Sequence, residues 1–124
     1  MSKWSQEELE QIKKTDDLHI SPFREDGTTY GTPTWIWSVV VDDAVYVRPY
    51  NGKTSRWFKA ALSQKSGRIT AAGITKEVKF ELAENDIFDR VDQAYESKYS
   101  KSEYLALMIG SPIRLNTVRI LPLK

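Results

Sequence analysis

The sequence has no cysteine in its 124 residues and a single histidine, His19. Without cysteine, disulfide frameworks, thiol nucleophiles and thiolate zinc sites are excluded. One histidine cannot build a multi-histidine metal site, and no G-x-S-x-G turn is present to hold a nucleophilic serine beside it. We therefore expect no metal and no catalytic triad, and we predict His19 to be a packed or surface side chain.

Long apolar runs and an excess of charge are also missing. No run approaches the roughly 18 residues needed to cross a bilayer. The start, MSKWSQEELEQIKK, lacks the apolar centre of a signal peptide, which predicts a cytoplasmic protein. Because 18 Lys and Arg stand against 17 Asp and Glu, a net charge of +1 provides no field toward nucleic acid or lipid. We expect neither partner, and any anion must be captured locally.

The hydrophobic pattern predicts one α+β, mainly β, domain over residues 1–124. A capping box of Ser5 and Glu8 predicts a first helix to Lys14, and a second helix begins near Trp57 and ends at Gly67. Two more helices follow, from Asn85 or Asp86 to Tyr99 and through YLALMI. Six strands are predicted, at 18–24, 32–41, 44–50, 68–73, 75–82 and 114–123. With no βαβ alternation, we predict an antiparallel barrel with helices packed outside.

Residues 32–41, TPTWIWSVVV, read as one strand that turns at Asp42-Asp43 into the next. The period of two puts Trp35 and Trp37 on one face, where they either stack on a flat ring or fill the barrel. Both faces are largely apolar, which predicts a strand covered on both sides. In 75–82, the same period predicts a buried face that ends with Leu82.

The stretch PYNGKTSRWF, residues 49–58, is the best candidate for an anion site. Arg48 ends a strand just before it, a turn follows, and Thr54 or Ser55 caps a helix whose first N–H groups have no internal partner. These N–H groups, the Ser55 hydroxyl and the planar Arg56 fork are suited to a phosphate. The alternative is a plain capped turn in which Lys53 and Arg56 are solvated surface charges.

The combination GTPTWIWSVVVDDAVYVRPYNGKTSRWFKAAL, followed by RITAAGITKEVKFEL, resembles two groups of proteins. Nearly the whole chain, from WSQEELEQI to TVRILP, resembles a family of small bacterial proteins without an assigned function. At lower similarity, the chain resembles the flavin-binding split β-barrel superfamily, with its pyridoxamine phosphate oxidases and deazaflavin-dependent nitroreductases. This second resemblance implies a six-stranded antiparallel split β-barrel.

The superfamily resemblance also implies roles for particular residues. The strand beside the flavin ring is matched by Thr32, Thr34, Trp35 and Ile36, and Trp37 is expected to border the ring as well. The strand of Tyr46 to Tyr50, which carries Arg48, matches the one that ends at the phosphate. Ser55 and Arg56 match the phosphate turn, with assistance from Lys53 and Thr54. The chain departs from the oxidases at Trp57, which stands where they place a second cation.

Two functional hypotheses follow. The first is a protein that binds flavin mononucleotide or a deazaflavin and acts as an oxidoreductase on a small molecule. The alternative is a non-catalytic split barrel that binds a non-flavin ligand or a partner subunit. The resemblance also implies a homodimer, for which the second apolar face of residues 34–40 is the predicted surface.

Overall fold

The structure, a computed structural model, describes residues 3–123. Seven strands form a single antiparallel sheet that curls into a half-barrel, in the order β2-β1-β5-β6-β7-β4-β3. The strands are β1 His19–Pro22, β2 Thr34–Trp35, β3 Ser38–Val41, β4 Ala44–Val47, β5 Ser66–Ala71, β6 Ile74–Leu82 and β7 Val118–Pro122. The α+β class and the antiparallel, barrel-like sheet are confirmed, and the count of six strands was wrong by one.

The extra strand arises because residues 32–41 are two strands and not one. Thr34 and Trp35 pair with β1, whereas Ser38–Val41 pairs with β4 at the opposite edge of the sheet. Ile36 and Trp37 carry the chain from one edge to the other, and the Ile36 N–H donates to the Leu18 carbonyl (3.1 Å). A local pattern cannot show this break, because each half satisfies the alternation of a strand by itself.

The helices follow capping and periodicity. They are α1 Gln6–Lys14, α2 Arg56–Gln64, α3 Phe88–Lys98 and α4 Leu105–Ile109. Short 3-10 helices precede α2 and α3 and lead into β7, at Gly52–Thr54, Asn85–Ile87 and Ile113–Asn116. The predicted capping box of Ser5 and Glu8 is present at the start of α1. No helix among residues 3–123 is both long and apolar enough to cross a membrane.

The predicted end of the second helix was wrong. α2 ends at Lys65, which adopts the left-handed conformation (φ 63°) while its N–H donates to the Ala61 carbonyl. Gly67 instead lies in β5, paired with Pro22, where a Cβ atom would come within 2.4 Å of the Ser21 carbonyl oxygen. Position 67 therefore requires glycine because two strands approach closely there, and not because a helix ends there.

Both faces of the sheet carry a hydrophobic core, as the apolar faces of residues 32–41 predicted. The first core packs α1 and α2 on strand residues such as Ile20, Val47 and Ile120. The second core lies on the other face, where α3 and α4 cover Val39 and Tyr46. β3 and β4 contribute to both cores because alternate residues point to opposite faces.

Two details of the strand predictions need correction. Leu82, predicted to be buried, is 52% exposed, because it pairs with Val118 at the first position of β7 and so lies at the end of the sheet. On the predicted dimer face, Ile36 and Ser38 are buried inside the subunit, whereas Thr34 is exposed and Val40 is half-buried. His19 is half-buried in β1, and its Nδ1 lies 2.8 Å from the Asp17 carbonyl oxygen, as expected for a packed imidazole.

Candidate functional site

A cavity of about 740 Å³ opens where β2, the end of β4, the start of α2 and the segment before α4 meet. Seven of the nine residues that the sequence singled out line it, and Lys53 and Thr54 do not. The lining residues are Thr34, Trp35, Ile36, Trp37, Arg48, Tyr50, Asn51, Ser55, Arg56, Trp57, Ser102, Tyr104 and Met108. Its volume lies within the range of about 300–1,000 Å³ that small-molecule sites occupy.

Arg48 lies at the inner side of this cavity and is fully buried. Its Nη1 donates to Asp92 Oδ1 (2.6 Å) and to the Met108 carbonyl (2.9 Å), and its Nε donates to Thr117 Oγ1 (2.8 Å). Its Nη2 donates to the Phe88 carbonyl (3.2 Å). Four of the five N–H groups of this guanidinium thus serve contacts within the protein.

The charge of Arg48 is balanced by a small ion-pair network. Asp92 also accepts two hydrogen bonds from Arg114, whose Nη2 reaches Asp89 as well (2.8 Å). The pair of arginines and the pair of aspartates carry no net charge together. The network ties β4 to α3 and to the segment before β7, so Arg48 holds the wall of the cavity in place.

The side chain of Arg56, unlike that of Arg48, is exposed and unpaired. Arg56 is the first residue of α2, and its side chain makes no hydrogen bond or ion pair with any residue from 3 to 123. Since it lines the cavity, its guanidinium fork is available to a ligand there.

The first turn of α2 adds several neutral donors. Ser55 is the N-cap by backbone geometry (φ −60°, ψ 132°), but its hydroxyl makes no capping bond. The earliest helical bond is from the Lys59 N–H to the Ser55 carbonyl (3.1 Å), so within the described chain the N–H groups of Arg56, Trp57 and Phe58 have no acceptor. The positive end of the helix dipole faces the same region.

Aromatic side chains form the rest of the cavity surface. Trp37 stacks on Tyr99, with ring centroids 4.0 Å apart and an interplanar angle of 3°. Tyr50 and Tyr104 meet edge to face at 5.6 Å, and both are exposed. Trp35 is 51% exposed and is held by a hydrogen bond from its Nε1 to the Asp16 carbonyl. Flat apolar surfaces of this kind bind planar rings.

The prediction that Trp35 and Trp37 share a strand face was wrong, although both line the cavity. Trp35 is in β2, whereas Trp37 lies in the connection between β2 and β3 and packs against the second core. The tertiary fold brings the two rings to one cavity because the chain crosses between the sheet edges at that point.

Several lining residues were not foreseen as site residues. Ser102, Tyr104 and Met108 come from a segment about 50 positions after the phosphate turn, and nothing in their local pattern indicates a site. Trp57 had a signal, because it follows Arg56 directly at a helix start. Its indole N–H makes no hydrogen bond within the described chain, although the residue is only 8% exposed.

Buried titratable groups support the aromatic wall from behind. Burial raises the pKa of Tyr99 to about 12, and its hydroxyl lies 3.2 Å from the Ser38 N–H and 3.3 Å from the Ser38 carbonyl. Burial also raises the pKa of Tyr95. Both phenols therefore stay neutral around pH 7. No Asp or Glu is among the residues that line the cavity, and residues 3–123 hold no cluster of three or more metal-ligating side chains.

The fold and the site together define a class: a small α+β domain whose curled antiparallel sheet carries a cavity with aromatic side chains in its wall and an unpaired arginine at its rim. Residues 8–120 match the family described as "Uncharacterized protein conserved in bacteria (DUF2255)", and the chain belongs to that family. No curated protein matches the chain.

Proposed function

We propose that the chain binds a flavin-type cofactor, flavin mononucleotide or a deazaflavin, in this cavity. The observation that carries the proposal is the combination of flat aromatic walls with a free cation and free N–H groups at one rim. A flavin has the same two parts, a planar ring and a phosphate on a short chain. The resemblance of the sequence to the split-barrel flavoproteins supports the proposal independently.

The phosphate is held at the start of α2. Ser55 and Arg56 bind it directly, together with the three free N–H groups of the first turn. The sequence predicted that Arg48 helps to hold the phosphate. We assign it another role, because the N–H groups of its guanidinium already donate to Asp92 and to backbone carbonyls. It positions the cavity wall. Lys53 and Thr54 lie outside the lining, and the charge of Lys53 contributes at most a screened, distant attraction.

The ring lies against the aromatic surfaces. Thr34 and Trp35 border it on the side of β2, Trp37 borders it on the side of the second core, and Tyr50 lies at the rim. The free indole N–H of Trp57 and the free Ser55 hydroxyl fit a bound cofactor, since unpaired polar groups at a cavity are satisfied by a ligand.

When bound, a flavin supplies hydride or electron transfer, which suits an oxidoreductase of a small molecule. The residues of this chain then bind and orient the ring and exclude water from it. That chemistry needs no nucleophile or metal ligand from the lining, which contains no His, Asp or Glu.

A second candidate is a non-catalytic domain that binds a non-flavin ligand or a partner subunit. Trp57 in place of a second cation favours it, as do the exposed rings of Tyr50 and Tyr104 at the cavity mouth. Exposed aromatic side chains that flank a cavity are also typical of protein interfaces. A homodimer, if formed, uses this rim and not the buried face of β3.

The test is a fluorescence titration of the purified chain with flavin mononucleotide and with a 5-deazaflavin, at low salt. We expect saturable binding, with flavin fluorescence quenched by the nearby tryptophan rings. Arg56→Ala removes a charge-assisted pair and weakens binding by about 1.5–3 kcal/mol. Lys59→Ala, one turn further along α2 and outside the lining, is the matched control and leaves binding unchanged. Absence of binding to both flavins would exclude the proposal and leave the second candidate.

A further inference from the structure

We infer that the anion site selects a singly charged phosphodiester over a doubly charged phosphomonoester, and that Trp57 contributes a neutral donor to the binding of either. The inference rests on the proposed function and concerns the same site. It names the charge class of the cofactor that the site accepts.

The first step is the charge of the cavity. Two guanidinium groups line it and no carboxylate does. The charge of Arg48 is matched by Asp92 at 2.6 Å, and that of Arg114 by Asp89 and Asp92. Arg56 is therefore the one lining cation that no carboxylate of residues 3–123 balances. The site offers a ligand one full side-chain charge, beside the partial positive charge of the α2 N-terminus.

The second step concerns the neutral donors. Trp57 is the second residue of α2, and more than nine-tenths of it is buried. Its indole nitrogen has no hydrogen-bond partner in the described chain, and the residue lines the cavity. With the Ser55 hydroxyl and the free N–H groups, it makes a donor-rich site of low charge.

The third step is the match to a ligand. A phosphomonoester carries nearly two negative charges above its second pKa of about 6, whereas a phosphodiester carries one. One guanidinium balances a diester fully, whereas the guanidinium and the helix end, worth about half a charge, leave part of the second charge of a monoester unpaired beside apolar rings, which is unfavourable. Lys53 is exposed and outside the lining, where solvent screens its charge.

The test compares two probes that share one ring and differ only at the phosphate: flavin mononucleotide and its methyl phosphodiester. At pH 7.5 we expect the diester to bind about threefold to tenfold more tightly. At pH 5.5 the monoester gains a proton and the two affinities converge, while the affinity of the diester does not change. Equal or tighter binding of the monoester at pH 7.5 would overturn the inference and leave the proposed function intact. Failure of both probes to bind would exclude both the inference and the proposed function.

Variants add a second, independent measurement. Asn51→Lys puts an extra cation at the exposed rim of the cavity and reverses the preference, whereas Thr54→Lys, in the adjacent 3-10 helix but outside the lining, does not. Trp57→Phe keeps an aromatic ring in the core and removes the N–H, so both probes lose affinity by about the same factor. Unchanged affinities in a folded Trp57→Phe chain would remove Trp57 from the site, and an unchanged preference in Asn51→Lys would contradict the charge argument.

Discussion

Arg48 and Arg56 are the two guanidinium groups of the cavity, and their surroundings give them different tasks. Arg48 is buried with Asp92 and three further acceptors, and Arg56 is exposed and unpaired within the described chain. The first stabilises the fold and the second is available to a ligand. Lys98 shows the same effect of surroundings, since burial lowers its pKa to about 8 while its Nζ donates to the Ser38 carbonyl (2.7 Å).

Arg48→Met should lower the free energy of unfolding by about 3 kcal/mol. The substitution leaves Asp92 with one partner fewer and leaves two buried carbonyls and Thr117 without their donor. Arg56→Met is the matched control and should change stability by less than about 0.5 kcal/mol. Urea unfolding followed by circular dichroism measures both, and equal effects of the two changes would contradict the assignment.

Lys98 should make stability rise with pH in the mildly alkaline range. Its pKa is about 8 in the folded chain and near its ordinary value of about 10.4 in the unfolded chain, so the unfolded chain holds more protons between these values. The unfavourable buried charge is fully present below pH 8 and is relieved as the pH rises. Urea midpoints of the wild-type chain should therefore increase from pH 7.5 to 9.5.

Lys98→Met is the comparison for this pH effect and should show a flatter profile over the same range. Above about pH 10 the raised pKa values of Tyr95 and Tyr99 act in the opposite direction, because the unfolded chain loses those protons first. The range is therefore limited to pH 9.5. Parallel profiles for the two chains would show that Lys98 is not the group responsible.

At the scale of elements, the connection between β2 and β3 and the close approach of β1 to β5 shape the site. The connection at Ile36 and Trp37 places β2 and β3 at opposite edges of the sheet, which opens the cavity beside them. β1 and β5 approach so closely at Gly67 that no side chain fits between them. Because β2 pairs with β1, the position of Trp35 depends on this approach.

Gly67→Ala should destabilise the chain by about 2–3 kcal/mol. The added Cβ would lie 2.4 Å from the Ser21 oxygen and 2.6 Å from the Pro22 Cα, so the two strands must move apart. Gly73→Asn is the control, because that turn position has open space and a positive φ (77°) that asparagine tolerates. Thermal unfolding compares them, and a loss as small as that of the control would refute the close approach.

At the scale of the whole molecule, one sheet supports two cores. Trp4 is buried in the first core, where its Nε1 donates to the Ile120 carbonyl (3.0 Å), and Trp37 packs against the second. Strands β3 and β4 have residues in both, so neither core persists when the sheet separates. The cavity lies where these shared strands end, and its shape therefore depends on the intact molecule.

The two cores should unfold together. Two variants that each keep a single tryptophan, Trp4 in one and Trp37 in the other, with the other three tryptophans replaced by Phe, report the loss of one core each by fluorescence. Circular dichroism reports the sheet. Because a single domain of this size normally unfolds in one step, we expect the fluorescence and circular dichroism midpoints to coincide within each variant. A fluorescence midpoint that is separate from the circular dichroism midpoint would show that one core unfolds independently.

Much of this fold could be predicted from local patterns. The capping box of α1, the hairpin at Asp42-Asp43 and the approximate limits of most helices and strands follow from short-range rules. Local patterns could not predict the break inside residues 32–41 or the reason for glycine at position 67. Both depend on which strand pairs with the segment in the folded chain. In the site, the first turn of α2 was foreseen, whereas Tyr104 and Met108 reach the cavity from a distant segment.

By itself, the sequence determined which chemical groups this protein has: no thiol, a nearly neutral net charge, and a turn with Ser55 and Arg56 before a helix. Those features depend on residue type and short spacing, which the chain carries wherever it folds. Only the tertiary structure decided that Arg48 is neutralised by Asp92 while Arg56 stays unpaired within the described chain. Whether the charge of an arginine is available to a ligand depends on its partners. The partner of Arg48 lies about 40 positions away in the sequence, and the fold brings it within hydrogen-bond distance.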